Sequence, residues 1–145
     1  SLRKEWIFDS KKIVYRQTAS RPIAAIDLKG SRSLNSVHNI VLKEDNAEQL
    51  IALCCYLNSD LCAAIYKDCS GESRRLFPQV HISLMKTLPI PKFLLDPKNR
   101  WSKELIKIGR EALDQTQESK CPESGKPIEQ INQVMQNFIE SQAKI

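Results

Sequence analysis

The stretch that decides the fold is residues 46–67, which reads NAEQLIALCCYLNSDLCAAIYK. Its leucines recur three or four residues apart, as on the apolar face of a helix that packs against a core, at Leu50, Leu53, Leu57 and Leu61. Asp45 or Asn46 is placed to cap the first turn, where Glu48 adds a favourable negative charge. Cysteines at positions 54, 55 and 62 widen the apolar face. We therefore predict one central helix that ends near residue 67 and is covered on most sides.

Short strands are predicted before and after this helix. The three before it cover residues 12–16, 23–28 and 36–42, and short polar turns separate them. After the helix, alternating apolar residues predict a strand over residues 80–85 that leads into Leu88-Pro89-Ile90-Pro91. The two prolines cannot donate ladder hydrogen bonds, so they fix an extended exit. Short strands joined by short turns favour an antiparallel sheet.

Two amphipathic helices are predicted beyond residue 98. Ser102 is placed to cap the first, and Leu105 and Ile108 begin its apolar face. Gly109 within that helix costs about 1 kcal/mol relative to Ala unless another helix packs close to it. Pro127 suits the first turn of the second helix, and the two helices should pair as a hairpin.

These elements predict an α+β fold, in which a small, mostly antiparallel sheet packs on the central helix and a C-terminal two-helix hairpin follows. Residues 1–98 would form the main domain, and residues 99–145 a helical extension packed on it as one structural unit. A chain of 145 residues with 41% hydrophobic and 27% charged residues fits one globular domain. The chain begins with neither Met nor a signal-peptide core, so we expect a fragment of a longer protein. No apolar run approaches the roughly 18 residues that a membrane span needs, so no membrane partner is expected.

Catalysis within this chain has little support in its residues. The four glycines are too far apart for a phosphate-binding loop, and no His, Cys or carboxylate cluster has metal-ligand spacing. The five cysteines form no CxxC pair, which favours buried free thiols in a reducing cytoplasm. Cys69 and His81 could form a dyad, but Cys69 would end a helix, where the helix dipole does not lower a thiol pKa. A small cysteine enzyme is therefore the third of three hypotheses.

The net charge of +5 is unevenly distributed along the chain. Residues 1–45 and residues 67–100 each carry a net charge of +4, whereas residues 46–66 carry −2 and residues 101–145 carry −1. A basic surface attracts phosphate backbones, because binding releases condensed counterions. The alternative is a surface that lysine and arginine merely keep soluble.

Three polar segments mix Arg with Ser, Asn, Gln or His, namely residues 16–21, 29–39 and 70–75. Arg can grip guanine and Asn can grip adenine in the major groove, and Ser and Thr suit phosphates. Any one such segment could be a solvated turn, but three around one small sheet indicate a reading surface. Aromatic residues make up only 6% of the chain, which is little for stacking on single strands and favours duplex DNA.

The order of these features resembles the TaqI-like C-terminal specificity domain. Lys12-Ile13-Val14-Tyr15-Arg16 opens the series, and a short strand and an Asn/Ser segment follow. The helix with Leu57-Asn58-Ser59, the loop at Gly71 and the strand into Leu88-Pro89-Ile90-Pro91 complete it. The resemblance covers residues 12–93. Such domains choose the target sequence for adenine-specific DNA methyltransferases and for fused type II restriction-modification enzymes.

The resemblance implies a division of labour within a longer prokaryotic, cytoplasmic enzyme. A separate N-terminal domain of the same chain would bind S-adenosylmethionine and methylate a flipped adenine. The Asn-Pro-Pro-aromatic motif and the glycine-rich cofactor loop of that domain do not occur in this sequence. This fragment would therefore hold no cofactor and no activity of its own, and its partners would be double-stranded DNA and the catalytic methyltransferase domain.

Charge and position alone select the candidate DNA contacts. Five residues are predicted to contact bases: Arg32, Asn35, His38, Arg74 and Arg75. Five others are predicted to contact phosphates: Arg16, Arg21, Lys29, Lys67 and Lys86. Asn58 and Ser59 are predicted instead to be structural and to hydrogen-bond neighbouring backbone, and Pro89 and Pro91 to fix the exit of the chain.

A protein-interaction module is the second hypothesis. The apolar stripe of the last predicted helix, which contains Ile131, Val134 or Met135, and Phe138, could serve as its docking surface. Burial of this stripe within the domain itself would weaken the hypothesis.

Overall fold

A computed structural model describes residues 11–16, 21–27, 37–42, 46–70, 85–86, 88–117 and 126–143. Three short strands form an antiparallel sheet: β1 (Lys12–Arg16), β2 (Ala24–Asp27) and β3 (Val37–Ile40). β1 lies between the other two, in the order β2-β1-β3. The antiparallel sheet predicted for these segments is therefore confirmed. The strand predicted over residues 80–85 lies outside the described residues except for Met85, which is helical rather than extended.

The inner face of the sheet is apolar and packs on the helices. Ile13 and Tyr15 of β1 are buried, and the register places Ile26 of β2 and Ile40 of β3 opposite Ile13. The alternating side chains of a strand put Lys12 on the other face. There its ammonium group lies 3.2 Å from the carboxylate of Asp27 on the neighbouring strand.

Residues 46–70 form two helices, so the prediction of a single central helix was wrong. Helix α1 (Ala47–Leu57) and helix α2 (Asp60–Ser70) meet at an angle of 65°. The break falls at Asn58 and Ser59. There the Tyr56 carbonyl accepts from the Ser59 N–H and hydroxyl, and the Asp60 N–H, which would bind that carbonyl in a continuous helix, donates to the Asn132 side chain instead. Of the two predicted capping residues, Asp45 and Asn46, the cap is Asn46, whose side-chain oxygen accepts a hydrogen bond from the Gln49 N–H.

The C-terminal part consists of a 3-10 helix (Lys92–Leu95), helix α3 (Arg100–Gln117) and helix α4 (Lys126–Ala143). The sequence predicted Ser102 as the cap of α3, and this prediction was wrong. The cap is Asn99, whose side-chain oxygen accepts from the Trp101 N–H at 2.9 Å. The Ser102 hydroxyl is buried and donates instead to the Phe93 carbonyl, which ties α3 to the 3-10 helix.

Helix α1 is the centre of the fold. All of residues 50–57 are buried, because the sheet, the 3-10 helix, α3 and α4 pack around this helix. Helix α3 lies close to it at Gly109, where an added Cβ would clash with Cγ2 of Ile51. The condition under which the sequence analysis allowed a glycine in this helix, a second helix packed close to it, is therefore met. Helices α3 and α4 also pack against each other, and the α+β class is confirmed.

Among the described residues, no single helix is both long and apolar enough to cross a membrane. The bent pair of α1 and α2 passes such a test only when the two are counted together, by length and composition alone.

Candidate nucleic-acid interface

The junction between α1 and α2 is fastened to the edge of the sheet by one side chain. The Asn58 amide group accepts from the Ala24 N–H at 2.9 Å and donates to the Ala24 carbonyl at 2.8 Å. It also donates to the carbonyl of Cys54 at 3.1 Å. The amide thus pairs with edge strand β2 as another strand would, and it binds both backbone polar groups of Ala24 that point away from β1.

Ser59 and Tyr56 fasten the same junction in two other directions. The Ser59 hydroxyl donates to the Tyr56 carbonyl at 2.6 Å and accepts from the Cys62 N–H at 3.2 Å, so it caps α2. The Tyr56 hydroxyl donates to the Pro89 carbonyl at 3.0 Å, which holds the extended exit against α1. The predicted backbone hydrogen bonds of Asn58 and Ser59 are therefore confirmed.

A charged cluster extends this junction to the last helix. The Arg21 guanidinium donates to the Asn58 carbonyl at 3.0 Å and forms a 2.9 Å ion pair with Asp60. The side chain of Asn132 in α4 donates to the Asp60 carboxylate at 3.0 Å and accepts from the Asp60 N–H at 2.8 Å. One acidic residue therefore connects the segment before β2 with the C-terminal hairpin.

The structure describes one of the five predicted base-contacting residues. His38 lies on β3 opposite Tyr15, and their ring centroids are 5.2 Å apart. The register puts the half-buried His38 ring on the inner face of the sheet beside Tyr15. Burial and the neighbouring Tyr66 raise the pKa of Tyr15 to about 12, so this phenol is neutral at ordinary pH. The other four predicted residues, Arg32, Asn35, Arg74 and Arg75, lie outside the described residues.

The predicted phosphate contacts are spread over several elements. Lys67 on α2 and Lys86 are exposed. Arg21 is half-buried, and two of its guanidinium nitrogens are engaged by Asp60 and Asn58. Arg16 is the last residue of β1, but its side chain lies outside the described part of the structure, as does the whole of Lys29.

The described frame fixes the ends of the three predicted reading segments. The first leaves the sheet at the end of β1, and Arg21 at its far end is held by the α1–α2 junction. The second begins two residues after β2 ends and runs into β3. The third starts at the last residue of α2. The frame therefore holds each segment at one or both ends.

The described cysteines are structural. Cys54 and Cys55 in α1 and Cys62 in α2 are buried free thiols. Burial raises the pKa of the Cys54 and Cys62 thiols from an ordinary value of 9.0 to about 12, and burial also raises that of Cys55. These three groups are protonated at neutral pH and are therefore poor nucleophiles. Within the part of the chain that the structure describes, no three His, Cys, Asp or Glu side chains are grouped so as to hold a metal ion.

A basic groove that the sequence analysis did not predict lies on another side of α1. This feature, called the α3 groove below, is an open depression of about 1160 Å³ between the start of α1, residues 96–98 and α3. Its basic lining residues are Lys11, Lys98, Lys103, Lys107 and Arg110. Lys103, Lys107 and Arg110 are spaced four and three residues apart, and residues so spaced share one face of a helix. This spacing is the sequence signal from which the groove could have been predicted. The net charge of −1 over residues 101–145 gives no sign of these three cations, because seven acidic residues in the same stretch outweigh its six basic ones.

The apolar stripe of α4 is internal. Ile131, Val134 and Met135 are buried in the core, and the ring of Phe138 packs on Phe93 and Trp101, at centroid distances of 4.7 and 6.0 Å. The stripe that suggested a docking surface is therefore largely used within the protein itself, which weakens the interaction-module hypothesis.

Comparison with known proteins identifies the family of this chain. A family model described as the TaqI-like C-terminal specificity domain matches residues 2–90. The match begins before the stretch suggested by the motifs and ends within Leu88-Pro89-Ile90-Pro91. It contains β1, β2, β3, α1 and α2, and with them the Asn58 junction. No curated protein matches the chain. Since the matched residues make up more than half of its length, the chain belongs to the family of TaqI-like C-terminal specificity domains.

Proposed function

We propose that this chain recognises a specific sequence in duplex DNA and so directs an adenine-specific DNA methyltransferase, or a fused type II restriction-modification enzyme, to its target. The observation that carries the proposal is the family match over residues 2–90, because specificity domains have a DNA-recognition role in methyltransferase-like proteins. The uneven charge supports it, since residues 1–45 and 67–100 each carry a net charge of +4.

The geometry of the frame supports a reading role. Base contacts need side chains held in a fixed register on the duplex, so the segments that carry them need rigid supports. Asn58 ties the α1–α2 junction to β2, and Tyr56 ties α1 to the exit at Pro89. On this framework the predicted base contacts Arg32, Asn35, Arg74 and Arg75 select the sequence, while the inward-facing ring of His38, the fifth predicted base contact, packs beside Tyr15. Arg16, Arg21, Lys29, Lys67 and Lys86 bind phosphates.

In this proposal the chain itself performs no catalysis. Methyl transfer belongs to a separate catalytic domain of the parent enzyme, which would bind S-adenosylmethionine and the flipped adenine in the prokaryotic cytoplasm. The buried thiols fit this assignment, because their raised pKa values keep Cys54 and Cys62 protonated. The partners of the chain are then double-stranded DNA and that catalytic domain.

Titration of a fluorescent duplex with the 145-residue chain tests the proposal by anisotropy. We expect binding at low salt whose affinity falls steeply as salt rises. Five phosphate contacts give a slope of log K against log[salt] near −4.5, and thus a several-hundred-fold loss between roughly 50 and 200 mM salt. A single strand of the same sequence should bind more weakly, since aromatic residues that could stack on bases are few.

Two results of this titration would count against the proposal. The first is the absence of duplex binding at low salt by a chain whose circular dichroism shows that it is folded. The second is an affinity that does not change between the two salt concentrations, because phosphate contacts release counterions and must be salt-dependent.

A further inference from the structure

The α3 groove is made by four parts of the chain that meet at one end of the sheet. Lys11 immediately precedes β1, Asn46 caps α1, and residues 96–98 form the turn before α3. The exposed face of α3 forms the remaining wall, where Ile106 lies between the basic side chains. All of its lining residues after position 90 lie outside the stretch that matches the family.

The groove has a small excess of positive charge, because five basic and four acidic residues line it. Its lysines at positions 98, 103 and 107 all precede the two acidic lining residues of α3, Glu111 and Asp114. Lys103, Lys107 and Arg110 are exposed and follow one another on successive turns of α3. At a rise of about 1.5 Å per residue they extend over about 10 Å. That length corresponds to about three phosphates of one DNA strand, which are about 3.4 Å apart along the duplex axis.

Carboxylates are also present in the groove, and two of the four are engaged. Glu48 lies 3.6 Å from Arg110, and the Asp96 carboxylate accepts a hydrogen bond from the Lys98 N–H at 3.0 Å. Glu111 and Asp114 follow Lys107 and Arg110 by four residues each, so they lie one turn further along the same face of α3. Among the described residues, no carboxylate forms an ion pair with the Lys98, Lys103 or Lys107 ammonium groups. These three lysines therefore give the groove its attraction for anions.

The shape of the groove favours an extended polyanion over a small anion. A small anion is held by several donors that converge on one point in a concave, largely enclosed site. Here the cations are exposed and lie in a row along an open depression. A row of separate charges on a helix fits a phosphodiester backbone, which carries repeated charges and tolerates solvent at the contact.

We propose that the α3 groove binds the phosphate backbone of duplex DNA beside the recognised sequence, through Lys98, Lys103 and Lys107. This inference rests on the proposed function. The groove opens at the end of the sheet where β2 ends, two residues before the predicted phosphate contact Lys29. The helical hairpin thus extends the DNA contact beyond the matched residues and increases affinity without adding sequence preference.

The double variant Lys103→Gln/Lys107→Gln tests the inference by anisotropy titration over a series of salt concentrations. On a duplex of roughly 30 base pairs, we expect the slope of log K against log[salt] to become shallower by about 1.8, since each lost phosphate contact removes about 0.9. On a short duplex that contains only the recognised sequence, the slope of the double variant should equal that of the unaltered chain. Both lysines are exposed, so the variant should fold normally, and circular dichroism checks this.

Two matched variants serve as controls. Lys92→Gln removes an exposed lysine of the 3-10 helix that does not line the groove, and its slope should match that of the unaltered chain. Glu111→Gln removes a negative charge from the groove and should strengthen binding to the long duplex at low salt.

The outcomes separate this inference from the proposed function. If the unaltered chain binds the long duplex and the double variant has the same slope, the groove assignment is overturned and the proposed function stands. If the double variant has an equally shallower slope on the long and the short duplex, the groove does not bind the DNA beside the recognised sequence, and that assignment is overturned. Failure of the folded, unaltered chain to bind any duplex overturns both.

Discussion

Replacing Asn58 with alanine is expected to lower the free energy of unfolding by about 2–4 kcal/mol, as measured by urea denaturation. The variant loses the pair of hydrogen bonds to Ala24 and the bond to the Cys54 carbonyl. The Ala24 N–H and carbonyl are partly buried, so they lose their protein partner and regain water only incompletely, whereas the Cys54 carbonyl keeps the Asn58 backbone N–H. Each such group costs about 1–3 kcal/mol when it is left unsatisfied.

Asn132→Ala is the matched control for this prediction. Asn132 also binds both a backbone N–H and a side chain, but its contacts with Asp60 are exposed. Water replaces them, so we expect a loss below about 1 kcal/mol. Equal losses in the two variants would mean that the Asn58 amide does not fasten the α1–α2 junction to the sheet in the way the hydrogen bonds indicate.

Gly109→Ala is expected to destabilise the protein by about 1–3 kcal/mol, the usual cost of overpacking a core. In an ordinary helix the same change would stabilise by about 1 kcal/mol, because alanine has the higher helix propensity. Here the new Cβ would lie 2.3 Å from Cγ2 of Ile51 and 3.2 Å from the Cys55 sulfur. Ile51 is buried and branched at Cβ, so it has little freedom to move aside.

A double-mutant cycle with Ile51→Ala isolates this contact. That substitution removes Cγ2 and by itself should cost about 2–5 kcal/mol through the cavity it leaves. In its presence Gly109→Ala should become neutral or stabilising, which gives a coupling energy of about 1–3 kcal/mol. A Gly109→Ala variant as stable as the parent, or costs that simply add, would contradict a close approach of α3 to α1 at this glycine.

Local patterns predicted most elements of this fold. The strand at residues 12–16 follows from its alternation, and the start of α1 follows from its acidic first turn, although the sequence left Asp45 and Asn46 open as the cap. The break at Asn58 was missed, because the apolar stripe continues through it. The Asn58 side chain at this break binds Ala24, which lies 34 positions earlier in the chain. A pattern read over neighbouring residues cannot include so distant a partner. The assembled fold therefore overrides a periodic helix signal.

The start of α3 shows a second limit of local rules. Asn99 and Ser102 are both good capping residues, so the sequence alone does not decide between them. The choice depends on the Phe93 carbonyl, which accepts the Ser102 hydroxyl proton once the 3-10 helix has docked. Gly109 differs, because a glycine inside a strong helix pattern left two possibilities, a cost in stability or a close helix, and the structure has the close helix.

The candidate interface was predicted less completely than the fold. The sequence distinguished structural from reading residues at Asn58 and Ser59, because amide and hydroxyl groups inside an apolar stripe need backbone partners. It did not predict that Arg21 would be held by Asp60, since that ion pair joins residues 39 positions apart. It also missed the α3 groove, whose cations come from three separate segments and meet only in the folded chain.

Selection from a pool of duplexes with a randomised central stretch measures most directly whether this chain reads a DNA sequence. The folded chain is incubated with the pool, and bound duplexes are recovered, amplified and sequenced over several rounds. We predict that the recovered duplexes share one short sequence, which Lys103→Gln/Lys107→Gln leaves unchanged because phosphate contacts carry no base information. Salt-dependent binding that recovers duplexes of random sequence would contradict a specificity function.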